Sequence, residues 1–142
     1  PHVLTFEEVE QLLDAPDATT PRGCRDHAMI QLLYASGLRV SELVGLKLQD
    51  IDLDQAVVMA LGKGEKRRLV PFGEVARDAL RAYLTLVRPR FAVRMQSAHL
   101  FLTERGPRIN TAGCCALRNA WCRGFSRRPE APAQIVSAWR RG

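Results

Sequence analysis

Two groups of basic residues stand where the local sequence could aim them. Arg39 follows Gly37 and Leu38, and Val40, Leu43, Val44 and Leu46 then fall on one side of a brief helix that has Arg39 at its mouth. Lys63 lies between Gly62 and Gly64, and Lys66, Arg67 and Arg68 follow with Glu65 as the one nearby acid. A basic patch on an ordered turn can be aimed at a single phosphate, whereas a flexible basic stretch gives salt-sensitive attraction to any nucleic acid. The other reactive types are placed less well. Cys24 stands alone, and Cys114, Cys115 and Cys122 with His99 match no common zinc spacing, so no metal and no cofactor is expected. Tyr34 belongs to the apolar helix before Arg39, and Tyr83 keeps core spacing with Leu80, Leu84 and Val87, so both are expected to pack.

The elements that position these groups follow from period and punctuation. Thr5 and Glu8 form a capping-box pattern ahead of Phe6, Val9, Leu12 and Leu13, which predicts a helix closed by Asp14-Ala15-Pro16. Asp17 to Gly23 is turn-rich, and a second helix with Ala28, Met29, Leu32, Leu33 and Ala35 on one side runs from there to Gly37. From Asp50 the period shortens: Ile51 and Leu53 alternate with acids, Ala56 to Leu61 is β-prone, and Arg67 to Phe72 follows the glycine-flanked turn. Gly62 and Gly64 are expected to take the positive φ of that turn, and Pro71 to sit at a strand end or sheet edge. Val75 to Val87 predicts a helix that stops at Arg88-Pro89; Leu100 to Leu102 is a short apolar piece before a turn at Glu104 to Pro107. The expected class is α+β: a helical domain with a small three-stranded antiparallel sheet, burying the Met29, Leu32, Leu33, Leu43, Val44, Leu80 and Leu84 faces.

Composition bounds the function classes. With 142 residues, 46% hydrophobic and 25% charged, the chain has the make-up of one globular domain. Its longest apolar run, Ala56 to Leu61, is too short for a helical membrane span, and Pro1 to Leu13 carries acids rather than a basic leader, so a cytoplasmic protein with no membrane partner is expected. The net charge of +6 is unevenly spread. Residues 1–108 hold 15 Lys or Arg against 14 Asp or Glu, whereas residues 109–142 hold six Arg against Glu130 alone. Both tryptophans and three of four cysteines also fall in that end, which divides the chain into 1–112 and an atypical basic tail, 113–142.

Leu32-Leu33-Tyr34-Ala35-Ser36-Gly37-Leu38-Arg39-Val40-Ser41-Glu42-Leu43, then Asp50, then Gly62-Lys63-Gly64-Glu65-Lys66-Arg67-Arg68-Leu69-Val70-Pro71, resembles the tyrosine recombinase family, its Xer-type and phage-integrase branch above all. The likeness of order extends from about Thr5 to Ala112. It implies site-specific DNA breakage and rejoining through a 3′-phosphotyrosyl intermediate, without a cofactor, on double-stranded DNA and alongside other recombinase subunits. It assigns Arg39 to a non-bridging oxygen of the scissile phosphate, a task suited to a guanidinium that stays protonated and offers a planar fork. It assigns Lys63 to protonating the departing 5′ oxygen, for which neighbouring cations would have to tune a lysine of reference pKa ~10.4. Glu42 and Asp50 become supports for the arginine and its helix, and Lys66, Arg67 and Arg68 become phosphate neutralisers.

The family also needs a His-x-x-Arg pair and a nucleophilic tyrosine after Ala112, and no histidine or tyrosine occurs there. It places a helical core-binding domain ahead of the Thr5 helix as well. The chain is therefore expected to be a truncated catalytic domain, inactive alone, that binds DNA weakly and with steep salt dependence. For residues 113–142, a shifted reading frame in GC-rich DNA accounts for the Arg, Ala, Gly, Pro, Cys and Trp content; a basic tail that binds without cutting is the alternative. Two other functions stand beside the recombinase: a non-catalytic DNA-binding module, and a protein-interaction remnant whose uncovered apolar surface self-associates.

Overall fold

The computed structural model describes residues 5–93 and 95–114. Helix α1, Phe6–Leu13, opens on the predicted capping box: the Thr5 N–H donates to Glu8 Oε2 at 2.8 Å and the Glu8 N–H to Thr5 Oγ1 at 3.2 Å. Helix α2, Pro21–Ser36, starts earlier than its hydrophobic spacing suggests. Thr20 is its cap, accepting the Gly23 N–H at 3.0 Å, and Pro21 occupies a first-turn position where a missing N–H costs nothing. Gly23 is thus part of the helix rather than of the connection. A Cβ there would fall 1.7 Å from the Asp17 carbonyl oxygen, so the close approach of the preceding turn demands glycine.

Gly37 ends α2 in the left-handed region at φ 67°, its N–H donating to the Leu33 carbonyl at 3.0 Å. Leu38 is buried next to it, and α3, Val40–Val44, begins immediately. Strands β1 (Ile51–Asp52), β2 (Val57–Leu61) and β3 (Arg67–Pro71) form the expected antiparallel sheet in the order β1-β2-β3. Pro71 closes the last strand, opposite Val57. The inner face of the sheet carries Val58 and Ala60, both fully buried.

The next helix does not stop at Pro89. Helix α4, Gly73–Ala82, runs into a π-helical stretch, Tyr83–Val87, and then into α5, Arg88–Phe91. The Arg88 N–H donates back to the Tyr83 carbonyl, five residues earlier, and the wider turn lets Pro89 enter as the early residue of a new segment. Helix α4 packs across α2, and Met29, Leu32, Leu43, Leu80, Tyr83 and Phe101 share the core. Residues 97–102 run beside the end of α3: the Leu100 N–H donates to the Leu46 carbonyl and the Leu48 N–H to Ala98, each at 2.8 Å. Arg88 binds this segment from the other side, donating from Nη2 to the Ser97 and His99 carbonyls at 2.7 and 2.6 Å. The turn expected at Glu104 to Pro107 is closed by the Thr103 N–H donating to the Pro107 carbonyl at 2.7 Å. Apart from residues 113 and 114, the atypical tail lies outside the described residues.

Helix α2 also buries an ion pair. Arg25 and Asp26 meet at 2.9 Å with side chains only 5% and 7% exposed, while Arg25 Nη1 donates to the Leu102 carbonyl at 3.1 Å and its guanidinium lies 5.9 Å from the Phe91 ring centre. Burial raises the Asp26 pKa more than Arg25 lowers it. Ionisation of Asp26 therefore opposes folding, and its contribution to stability falls as pH rises through its titration. Arg25→Ala strands that carboxylate and should cost roughly 3–5 kcal/mol in urea unfolding at neutral pH, with a smaller loss in acid, where Asp26 takes up a proton.

Candidate nucleic-acid interface

The position of Arg39 follows from its neighbours. The left-handed turn at Gly37 reverses the chain, Leu38 anchors it in the core, and Arg39 then emerges exposed as the cap residue of α3. Its backbone N–H donates to Glu42 Oε1 at 3.2 Å. Its guanidinium has no hydrogen bond or ion pair among the described residues.

The β2–β3 turn is closed by the Gly62 N–H donating to the Lys66 carbonyl at 2.8 Å. Gly64 takes the expected positive φ, 74°, but the second left-handed residue is Glu65 at 61°. Gly62 has φ −89°, so its backbone angle does not require glycine. A Cβ there would lie 3.3 Å from Arg68 Nη1, the end of a flexible side chain, and 3.4 Å from the Lys66 carbonyl, a snug fit that does not by itself demand glycine. Lys63 follows Gly62 at the start of the turn; its ammonium lies outside what the structure describes.

Arg39 and this turn share one surface. Gly37, Arg39, Ser41, Glu42, Leu61, Gly62 and Arg68 line an open concavity of about 590 Å³. Arg68 turns inward and binds Glu42 with both guanidinium ends, Nη1 to Oε2 at 2.9 Å and Nη2 to Oε1 at 3.4 Å. The Glu42 side chain is only 7% exposed, against 46% for Arg68. A largely buried carboxylate thus takes the Arg68 guanidinium, while Arg39 lines the same concavity with its own guanidinium unpaired among the described residues. That arrangement can hold an anionic oxygen cluster at Arg39 while the floor stays charge-compensated.

The remaining basic and acidic candidates are placed elsewhere. Lys66 and Arg67 are exposed and do not line the concavity. Asp50 supports a different turn, its Oδ2 accepting the Lys47 N–H at 2.9 Å on the way into β1. The inward course of Arg68 was readable in principle. Arg68, Val70 and Phe72 alternate, Ala60 faces Arg68 and Val58 faces Val70, so Arg68 shares the core face of the sheet. Counting it with the solvated charges of the turn hid that period.

The tyrosines separate as well. Tyr83 is fully buried as expected; its hydroxyl donates to the Leu100 carbonyl at 2.9 Å and accepts the Leu102 N–H at 3.1 Å. Burial pushes its pKa up to about 12, and its ring stacks on Phe101 at 5.5 Å. Tyr34 is not a packing residue. It is 56% exposed and opens on a second groove with Phe6, Val9 and Val75, which shares no lining residue with the concavity at Arg39. His99 pairs through its backbone with Lys47 in an isolated antiparallel β-bridge, while Cys115 and Cys122 lie outside the described residues.

A family model described as the phage integrase family matches residues 2–128. The chain belongs to that family. It is 43% identical over 113 residues to tyrosine recombinase XerD of Halalkalibacterium halodurans, covering 80% of this chain and 38% of that protein. The crystal structure of XerA recombinase superposes with a TM-score of 0.76 at 28% identity, covering 96% of this chain and 47% of that one. XerH site-specific recombinase bound to difH substrate gives a TM-score of 0.71 at 22% identity, covering 96% and 41%, a likeness of fold. The chain thus spans less than half the length of these relatives, and the α+β fold with its three-stranded sheet is that of the Xer-type tyrosine recombinases. In this member of the phage integrase family, Tyr83→Phe should cost about 1–3 kcal/mol in thermal or urea unfolding, because it leaves the buried Leu100 carbonyl and Leu102 N–H short of a partner.

Proposed function

We propose that this chain is the phosphate-gripping part of a site-specific DNA recombinase of the tyrosine type. Arg39 holds a non-bridging oxygen of the scissile phosphate, and Lys63 gives its proton to the departing 5′ oxygen. The attacking group is a tyrosine hydroxyl that loses its proton to water as its oxygen bonds to phosphorus and the P–O5′ bond breaks, the 5′ oxygen taking the Lys63 proton, so the phosphodiester energy is kept in a 3′-phosphotyrosyl link and no cofactor is required. Glu42 and Asp50 support the local backbone, and Lys66, Arg67 and Arg68 add positive charge facing the duplex or the site. The partners are double-stranded DNA and other recombinase subunits, and the setting is the cytoplasm. No described helix is long and apolar enough to cross a membrane.

The observation that carries this reading is the concavity that Arg39 shares with Gly62, the residue before Lys63. A guanidinium on the same concavity as the turn that carries Lys63 supports a grip on a single phosphate, whereas charges on separate faces would suit only diffuse attraction. The names of the relatives as tyrosine recombinases and the XerH recombinase bound to its difH substrate support the same reading.

The two tyrosines of the sequence favour a second reading for the chain by itself. Tyr83 is sealed in the core and Tyr34 faces another groove, which fits a module that binds DNA without cutting it. Duplex titration separates the two. Arg39→Ala and Lys63→Ala should each weaken binding roughly tenfold if they meet one phosphate, against roughly twofold for Arg67→Ala. Equal losses at all three positions would favour diffuse binding. With a nicked suicide duplex, the chain alone should give no covalent adduct; an adduct on Tyr34 or Tyr83 would overturn the assignment of both tyrosines.

A further inference from the structure

Among the basic residues of the β2–β3 hairpin, Arg68 differs in kind. It lies on the sheet's inner face opposite Ala60, with Val70 and Phe72 continuing that face toward the core. Its fork closes on a carboxylate 26 residues away, in another element. That same carboxylate accepts the Arg39 N–H. On its way there the guanidinium crosses so close to Gly62 that a methyl group on that residue would stand 3.3 Å from Nη1. One side chain therefore lies beside the residue before Lys63 and, through Glu42, is joined to the backbone of Arg39.

We infer that Arg68 is a positioning residue: it braces the β2–β3 hairpin against the start of α3 and so fixes where Lys63 stands relative to Arg39, instead of contacting phosphate itself. This rests on the proposed function only in naming Arg39 and Lys63 as the groups that meet DNA. Turning Arg68 toward a phosphate would leave the Glu42 charge buried without its partner, which opposes that alternative. A lysine could not replace the brace, since an ammonium keeps the charge but loses the fork. Lys66 and Arg67, exposed and without ion pairs among the described residues, remain the hairpin's ordinary phosphate neutralisers.

The test uses the 142-residue chain with Glu42→Gln, Arg68→Gln, the double variant and Arg68→Lys. Glutamine keeps an oxygen for the Arg39 N–H while removing the ion pair. Without DNA, each single glutamine variant should lower the unfolding midpoint and speed amide exchange at Gly62, and the double variant should be no worse than the poorer single. Additive losses would show two independent residues and overturn the brace. With duplex DNA, Glu42→Gln and Arg68→Lys should both bind several-fold more weakly than the parent. If Arg68 were a phosphate ligand, releasing it from Glu42 would tighten binding, lysine would largely preserve it, and Arg68→Gln would reduce the salt slope by about 0.9. Failure of the parent chain to bind any duplex would sink the proposed function, while the DNA-free cycle would still decide the brace.

Discussion

A carboxylate withdrawn from water must find compensation nearby, and Glu42 finds it on both sides of a cleft. Its oxygens take the backbone N–H of Arg39 and the fork of Arg68, so α3 and the β2–β3 hairpin are tied together at one charged point. The apolar core takes in both elements, with Leu43 from α3 and Val58 and Ala60 from β2. Hydrophobic contact is non-directional, however, and leaves the relative slide of the two elements loosely specified. The directional pair supplies the missing constraint, and the open surface above it is what remains for a ligand.

The rest of the domain serves to keep that point in place. Helix α2 runs through the core and ends at Gly37, where the left-handed turn and buried Leu38 deliver Arg39 to the surface. Helix α4 lies across α2, and its π-helical continuation places Tyr83 and Arg88 against residues 97–102, which in turn pair with residues 46–48 behind α3. Each of these contacts satisfies backbone groups that burial would otherwise leave unpaired. Support for the cleft therefore comes from hydrogen-bonded segments far from it in sequence.

Much of this was legible from residue spacing. The capping box at Thr5, the stop at Gly37, the helix opening at Arg39 and the three-stranded sheet follow from local chemistry and period, and local chemistry is what a sequence displays. The deviations come from context. Gly23 looked like a turn residue because its need for glycine arises from a close approach of Asp17, and at the hairpin turn the second left-handed residue is Glu65 rather than Gly62, which the placement of glycines does not reveal. Pro89 normally ends a helix, and only the π-helical turn before it lets the path continue. Tyr34 is exposed rather than buried because it lines an open groove between α1 and α4, a placement that only the packing of those helices decides. In the site, Arg39 and the Lys63 turn were found from motif resemblance, while the inward role of Arg68 was masked by the charge run around it.

The central claim is that one phosphate of duplex DNA is held jointly by groups from the mouth of α3 and from the hairpin turn. A crystal structure of the chain on duplex DNA tests it most directly. The account predicts a single phosphate within hydrogen-bond reach of both the Arg39 guanidinium and the Lys63 ammonium, above an intact Glu42–Arg68 pair. Arg39 and Lys63 on different phosphates, or the duplex seated on another face of the domain, would contradict it.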